Sequence, residues 1–209
     1  MTEQINLKEI EKKAWTSYFQ DGLWDILLGL ILLNFGIAPF IEEITGVNYL
    51  VGYIIILFLA EIIFFAGKKY ITIPRMGKVK FSNIRRTKRL KVSIVLGISV
   101  LLGFIIFLLT VTKNIPVISE IPLGALVFGI NAIIVFSAMA YLLDFPRLYL
   151  YGIFFAASIV LVEFSYNYVG ANYDNLIGFG LFGGIITIIG LAYLYRFLKK
   201  YPLPNQELN

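Results

Sequence analysis

The chain contains neither cysteine nor histidine. That excludes disulfides, thiol nucleophiles, thiolate and imidazole metal sites, and histidine-based acid–base catalysis. Charge is scarce as well: 15% of the 209 residues are Asp, Glu, Lys or Arg, with 13 acids against 18 bases. That is too little polar surface to clothe the helices of a soluble domain of this length. No secretory leader is evident, because residues 1–20 mix acids with bases and offer no small-residue cleavage site ahead of the first apolar run. The first run is therefore expected to stay in the mature protein.

What the chain has is apolar length. Hydrophobic residues make up 59% of it, with a mean hydropathy of +0.83. Six runs of about 20 residues match the length that crosses roughly 30 Å of hydrocarbon at 1.5 Å per residue. They are expected at about 22–40, 47–66, 92–111, 122–143, 148–169 and 176–197. The expected fold class is all-α: a polytopic membrane protein with six transmembrane helices as three hairpins (22–197). An N-terminal interfacial amphipathic helix (1–21) precedes it and a tail (198–209) follows. An acidic turn, IEEITG, joins spans 1 and 2.

Between spans 2 and 3 lies a basic loop, 67–91, with ten Lys or Arg and no acid. With both termini on the same side as this loop, 17 of the 18 bases share that side and Lys113 alone lies opposite. By the positive-inside rule this is the cytoplasmic face, of the plasma membrane. The net charge of +5 then reads as affinity for anionic headgroups, with Lys78, Lys80, Arg85, Arg86, Lys88 and Arg89 as the lipid- or partner-binding candidates. Holding the topology would by itself account for the charge. Nucleic acid is not expected as a partner, since only Tyr70 and Phe81 are present in the loop to stack bases. Within the loop, YITIPRMGKVKF is expected to be extended, because Pro74 fixes its own φ and biases Ile73 away from helix. IRRTKRLK is expected to be helical, capped by Ser82 or Asn83. The exits at 68–75, 142–147 and 198–204 each contain a proline. They read either as a repeat of two-span units or as convergence on one way of stopping a helix.

Near the N-terminus, Leu7, Ile10, Ala14, Trp15, Tyr18 and Phe19 recur at helical spacing, and Asn6 with Glu9 resembles a capping box. This predicts a helix lying in the membrane interface and anchored by Trp15, or a soluble helix packed on a neighbouring subunit.

Asp21, Asp25, Gly29 and Gly36 fall close to one face of span 1. Glu61 and Asp144 are expected at the same depth, with Arg75, Arg147 and Arg196 nearby. Two readings follow. The acids pair with arginines and tie the bundle together, or they form a vestibule in which a carboxylate changes partner or protonation. Deeper in and towards the outside, Asn34, Asn131, Glu163 and Asn167 are polar candidates, and Glu163 is expected to face a partner or cavity. Gly180 and Gly184 have GxxxG spacing and, with Gly29 and Gly36, predict close helix packing. No metal site and no cofactor is expected.

DGLWDILLGL at 21–30, IPRMGKVKF at 73–81 and RFLKKYPLP at 196–204 resemble an uncharacterised family of small prokaryotic multi-pass membrane proteins. The resemblance covers most of the chain and implies the architecture, not a substrate. FQDGLWD also resembles the opening of the CDP-alcohol phosphatidyltransferase signature. The AR that follows DG in that family is absent and there is no later DxxxD, so none of its residues carries over. The expected activity is non-catalytic movement or sensing of a small solute or ion. The alternative is a scaffold that binds a protein or anionic lipid through the basic loop, with a homo-oligomer as one further option.

Overall fold

The computed structural model describes residue 15 and residues 18–77, 83–111, 123–170 and 173–203. Among these residues every regular element is helical, and six helices are long and apolar enough to cross a membrane. The chain is a polytopic all-α membrane protein. A bilayer core offers backbone groups no water, so each span must satisfy its own N–H and C=O groups as a helix.

Helix α1 covers Leu23–Thr45. It runs through Pro39 and through the acidic residues expected to form a turn. It stops at Gly46, which is left-handed (φ 69°) and returns its N–H to the Glu42 carbonyl at 2.8 Å. One backbone bond lost at proline costs less than leaving several carbonyls unpaired near the bilayer, so the helix continues. Helix α2, Tyr49–Gly67, begins where the Asn48 side chain accepts the Leu50 N–H at 3.0 Å.

Instead of ending in an extended loop, α2 passes through a π turn, Lys68–Thr72, into a short helix α3, Ile73–Met76. The expectation of extended chain at YITIPRM is thereby corrected. A proline ring collides with the carbonyl four residues back in a regular α-helix, and the wide turn, with the Ile73 N–H bonded to the Lys68 carbonyl, eases that clash. Lys78 and Lys80 lie outside the described residues. Basic helical chain resumes at α4, Asn83–Val111. Then come α5, Leu123–Leu143, and α6, Arg147–Val169. A short α7, Tyr173–Asn175, leads through a second π turn, Leu176–Gly180, into α8, Leu181–Lys200.

Helix α1 is the hub, packed along α8 on one side and α2 on another, while α6 pairs with α5 and α4 leans chiefly on α5. Glycine makes the α1–α8 contact possible. A Cβ on Gly183 would lie 2.5 Å from the Leu33 nitrogen, on Gly190 2.6 Å from that of Ile26, on Gly29 2.6 Å from that of Thr187, and on Gly36 2.8 Å from that of Gly180. Gly22, Gly29 and Gly36 recur every seven residues against Gly190, Gly183 and Gly180, the repeat of two nearly antiparallel helices in close contact. The GxxxG expectation is corrected at Gly184, whose Cβ would meet open space. One residue is a rotation of about 100°, which turns Gly184 off the face shared by Gly183 and Gly190.

Trp15 is fully buried, donates its indole N–H to the Leu143 carbonyl at 2.6 Å, and packs in one cluster with Phe19, Phe145, Leu148 and Tyr151. It is thus a core residue and not an interfacial anchor. The bundle end there is rich enough in aromatic side chains to enclose an indole. Residues 18–20 form a turn, and the rest of the expected amphipathic helix lies outside the described residues.

Candidate functional site

Two carboxylates, both fully buried, organise the end of the bundle where the basic residues gather. Their placement begins with Gly22, whose left-handed backbone (φ 74°) leaves Asp21 just outside α1 and Asp25 inside its first turn. A side chain at Gly22 would also collide with α8 at Gly190. Negative charge at a helix N-terminus meets the positive end of the helix dipole, so this entry suits acids.

Asp21 accepts three hydrogen bonds: Leu23 N–H at 3.1 Å, Lys68 Nζ at 2.6 Å and Thr72 Oγ1 at 2.6 Å. The Lys68 ammonium also donates to the Tyr18 carbonyl at 2.8 Å and lies 3.7 Å from the centroid of the Tyr18 ring. Asp25 is held from the other side. Arg147 bonds it in bidentate fashion, Nε to Oδ1 at 3.0 Å and Nη2 to Oδ2 at 2.8 Å, and the Tyr151 hydroxyl donates to Oδ1 at 2.5 Å. The Arg147 guanidinium also donates to the Phe19 carbonyl at 2.6 Å and stacks 3.8 Å from the Tyr193 ring centroid.

The two arrangements are one device used twice. Each buried acid is gripped by a cation and a hydroxyl four residues apart on a single segment: Lys68 and Thr72 in the π turn, Arg147 and Tyr151 in the first turns of α6. Four residues is about one helical turn, so both donors point the same way. An unpaired ion in such a place costs several kcal/mol, and only multiply bonded pairing offsets it. Outside the spans, burial pushes the Tyr18 phenol above its usual range, with Arg89 acting against the shift and Asp21 adding to it.

Of the expected residues, the structure thus brings together Asp21, Asp25 and Arg147. Asp144, left-handed at φ 54° in the turn between α5 and α6, pairs with Lys88 at 3.1 Å instead of with an arginine. Glu61 does not join them. It is exposed on α2 with no partner among the described residues, because that face of the helix carries the outward residues Phe58, Ile62 and Phe65. Arg75 turns back to the Ile71 carbonyl at 3.0 Å, since the π turn rotates it away from the acids and puts Lys68 in its place. Arg196 is exposed beside Tyr193. Arg86 and Arg89 are exposed on the first turns of α4, and the side chain of Arg85 lies outside the described residues.

Farther along the spans, Asn34 ties α1 to α2 by donating to the Tyr53 carbonyl at 2.8 Å, and Asn131 ties α5 to α4 by donating to Ser99 Oγ at 2.7 Å. Glu163 and Asn167 are exposed, which corrects the expectation that Glu163 faces a partner or cavity. Glu163 lies six residues from the end of α6, about 9 Å along the helix. Three buried polar atoms have no hydrogen-bond partner among the described residues: Trp24 Nε1, Asn34 Oδ1 and Arg75 Nε.

Lys68, Thr72 and Tyr151 are site residues absent from the sequence expectations. The signal for them was a cation followed four residues later by a hydroxyl, KKYIT at 68–72 and RLYLY at 147–151. No protein-family model, no curated protein and no solved structure matches the chain. The class that the fold defines, an integral membrane protein of six spans, is therefore carried by the geometry alone.

Proposed function

We propose that the protein moves or senses a small solute or ion without catalysing a reaction, and that the two clamped carboxylates are its working part. One observation carries this reading: each acid has a neutral hydroxyl partner in addition to its cation. A carboxylate whose cation leaves, or which takes up a proton, then keeps a hydrogen bond in a place where an unsatisfied group would be costly. The basic end is taken as the cytoplasmic face of the plasma membrane, on the charge bias of the loops.

The test uses sealed vesicles reconstituted with purified protein and an internal pH- or ion-sensitive dye. Tyr151→Phe and Thr72→Val each remove one hydroxyl and leave the ion pair. The wild type should respond to an imposed proton or ion gradient, and both variants should change that response while remaining folded. Identical responses from all three proteins would overturn the assignment.

A second reading has its own support. Arg86 and Arg89 are exposed at the start of α4, which suits a scaffold that recruits an acidic protein or anionic lipid. Neutralising both and finding partner or lipid recovery undiminished would remove it.

A further inference from the structure

Two cavities lie between α4 and the rest of the bundle. One, about 310 Å³, is lined at the basic end by Tyr18, Phe19, Arg89 and Phe145 among others. The second, about 540 Å³, lies deeper and includes Ser99 and Asn131. Both fall within the range of roughly 300–1,000 Å³ over which proteins hold small ligands.

The lining residues show that the two are stacked along the same helix faces. On α1 they are Trp24 and Leu28 in the first cavity, then Leu32 and Phe35 in the second. On α4 they are Arg89, Val92 and Leu96, then Ser99. On α5 they are Leu143 and Met139, then Val135 and Phe128. Each series steps by three, four or seven residues, which keeps to one face of a helix. From Arg89 to Ser99 is about 15 Å along α4, and from Leu143 to Phe128 about 22 Å along α5. A single leaflet contributes about half of the roughly 30 Å hydrocarbon core, so the crevice is as long as one leaflet's chains.

Its wall is only loosely attached. Just 6% of the α4 span is buried; among the described residues its polar ties include Asn131 to Ser99 and Lys88 to Asp144, and the Arg89 guanidinium lies 5.1 Å from the Trp15 ring centroid. The crevice wall is mostly apolar, interrupted by Ser93, Ser99 and Asn131, with the Arg89 cation at its mouth, where Arg86 and Lys88 add positive charge on the same helix end.

We infer that this crevice holds one acyl chain of an anionic glycerophospholipid from the leaflet at the basic end, with the lipid phosphate against Arg89. Charge fixes the headgroup class and length fixes the chain. The site is separate from the clamped acids and does not depend on their being the working part of a transporter.

Native mass spectrometry of the full chain, purified in detergent and offered phosphatidylglycerol, phosphatidylcholine of the same chains or the free fatty acid, tests this. One phosphatidylglycerol per chain should be retained in preference to the other two. Arg89→Gln should weaken retention about fivefold, whereas Lys199→Gln, exposed in the last turn of α8 and away from the crevice, should leave it unchanged. Val135→Trp and Leu96→Trp fill the crevice from opposite walls and should abolish retention, while Leu101→Trp on the exposed face of α4 should not. Leu96→Trp decides the matter if Val135→Trp fails to fold, because α4 can move outward to admit it. Equal retention of phosphatidylcholine or fatty acid, equal losses at Lys199 and Arg89, or retention by Leu96→Trp equal to that of Leu101→Trp would each overturn the inference.

Discussion

Removing the charge of Asp25 without changing its shape isolates what the clamp contributes. In Asp25→Asn the Arg147 guanidinium keeps the Phe19 carbonyl and the rings of Phe145 and Tyr193 but loses the one carboxylate that pairs with it among the described residues. Breaking a buried pair from one side typically costs about 3–5 kcal/mol, because the surviving ion remains buried without compensation. That is a large share of the roughly 5–15 kcal/mol that holds a domain folded. Arg147→Leu leaves a fully buried carboxylate that keeps Tyr151 but has lost its cation, and a loss of similar size is expected, about 3–5 kcal/mol. The double variant contains neither ion, so its destabilisation should fall short of the sum of the single losses by about 3 kcal/mol. Reversible unfolding in mixed micelles measures all three. Trp15, which packs against Tyr151 in one cluster, and Trp24, one residue before Asp25, provide the fluorescence reporters. A coupling below about 0.5 kcal/mol would mean that the pair does not act as a unit, and the clamp would fail as an energetic feature.

Three further outcomes follow from the packing. Gly183→Ala should destabilise the bundle by about 1–3 kcal/mol through overpacking against α1, whereas Gly184→Ala should be neutral or stabilise by up to about 1 kcal/mol; the same unfolding assay compares them, and equal effects would refute the heptad contact. Asn131→Ala should cost about 0.6 kcal/mol and increase the accessibility of a single cysteine placed at the half-buried Val95, which leaves Ser99 intact and is a clean readout in a chain with no native cysteine. Glu61→Leu should leave unfolding unchanged or raise stability, since it removes an exposed acid from an apolar helix face; a marked loss of stability would reveal a partner for that carboxylate.

The six spans were legible because hydrocarbon imposes one rule on every residue it contains, and a run of about 20 apolar residues satisfies it without reference to the rest of the fold. Local breakers were less reliable guides. Pro39 and Pro74 both stand inside continuous helical paths, because in a bilayer the cost of freeing backbone groups exceeds the cost of bending around a ring. Asp25 and Arg147 were visible as an acid near a membrane boundary and a cation at a similar depth. Their pairing across 122 positions is a tertiary fact that one-dimensional spacing does not contain. Spacing points to Arg75 and away from Lys68 for a related reason: the π turn changes the phase of the helix there, so counting residues at 100° each selects the wrong cation. Gly184 failed likewise, since a GxxxG pair specifies spacing and says nothing of which face meets a neighbour.

The turn at residues 18–20 connects the features of the basic end. Two of its backbone carbonyls, those of Tyr18 and Phe19, accept from the Lys68 ammonium and the Arg147 guanidinium, so the turn is fastened to both clamps. The side chains of the same two residues line the mouth of the crevice beside Arg89. Any occupant that shifts Tyr18 or Phe19 therefore moves an acceptor belonging to each cation, and any change of partner at Asp21 or Asp25 alters the wall of the crevice. Linkage makes such an effect reciprocal: whatever free energy lipid adds to one arrangement of the clamps, that arrangement returns to lipid affinity. The short turn between Trp15 and the first span is thus where a lipid held in the crevice would act on the buried charges, and they on it.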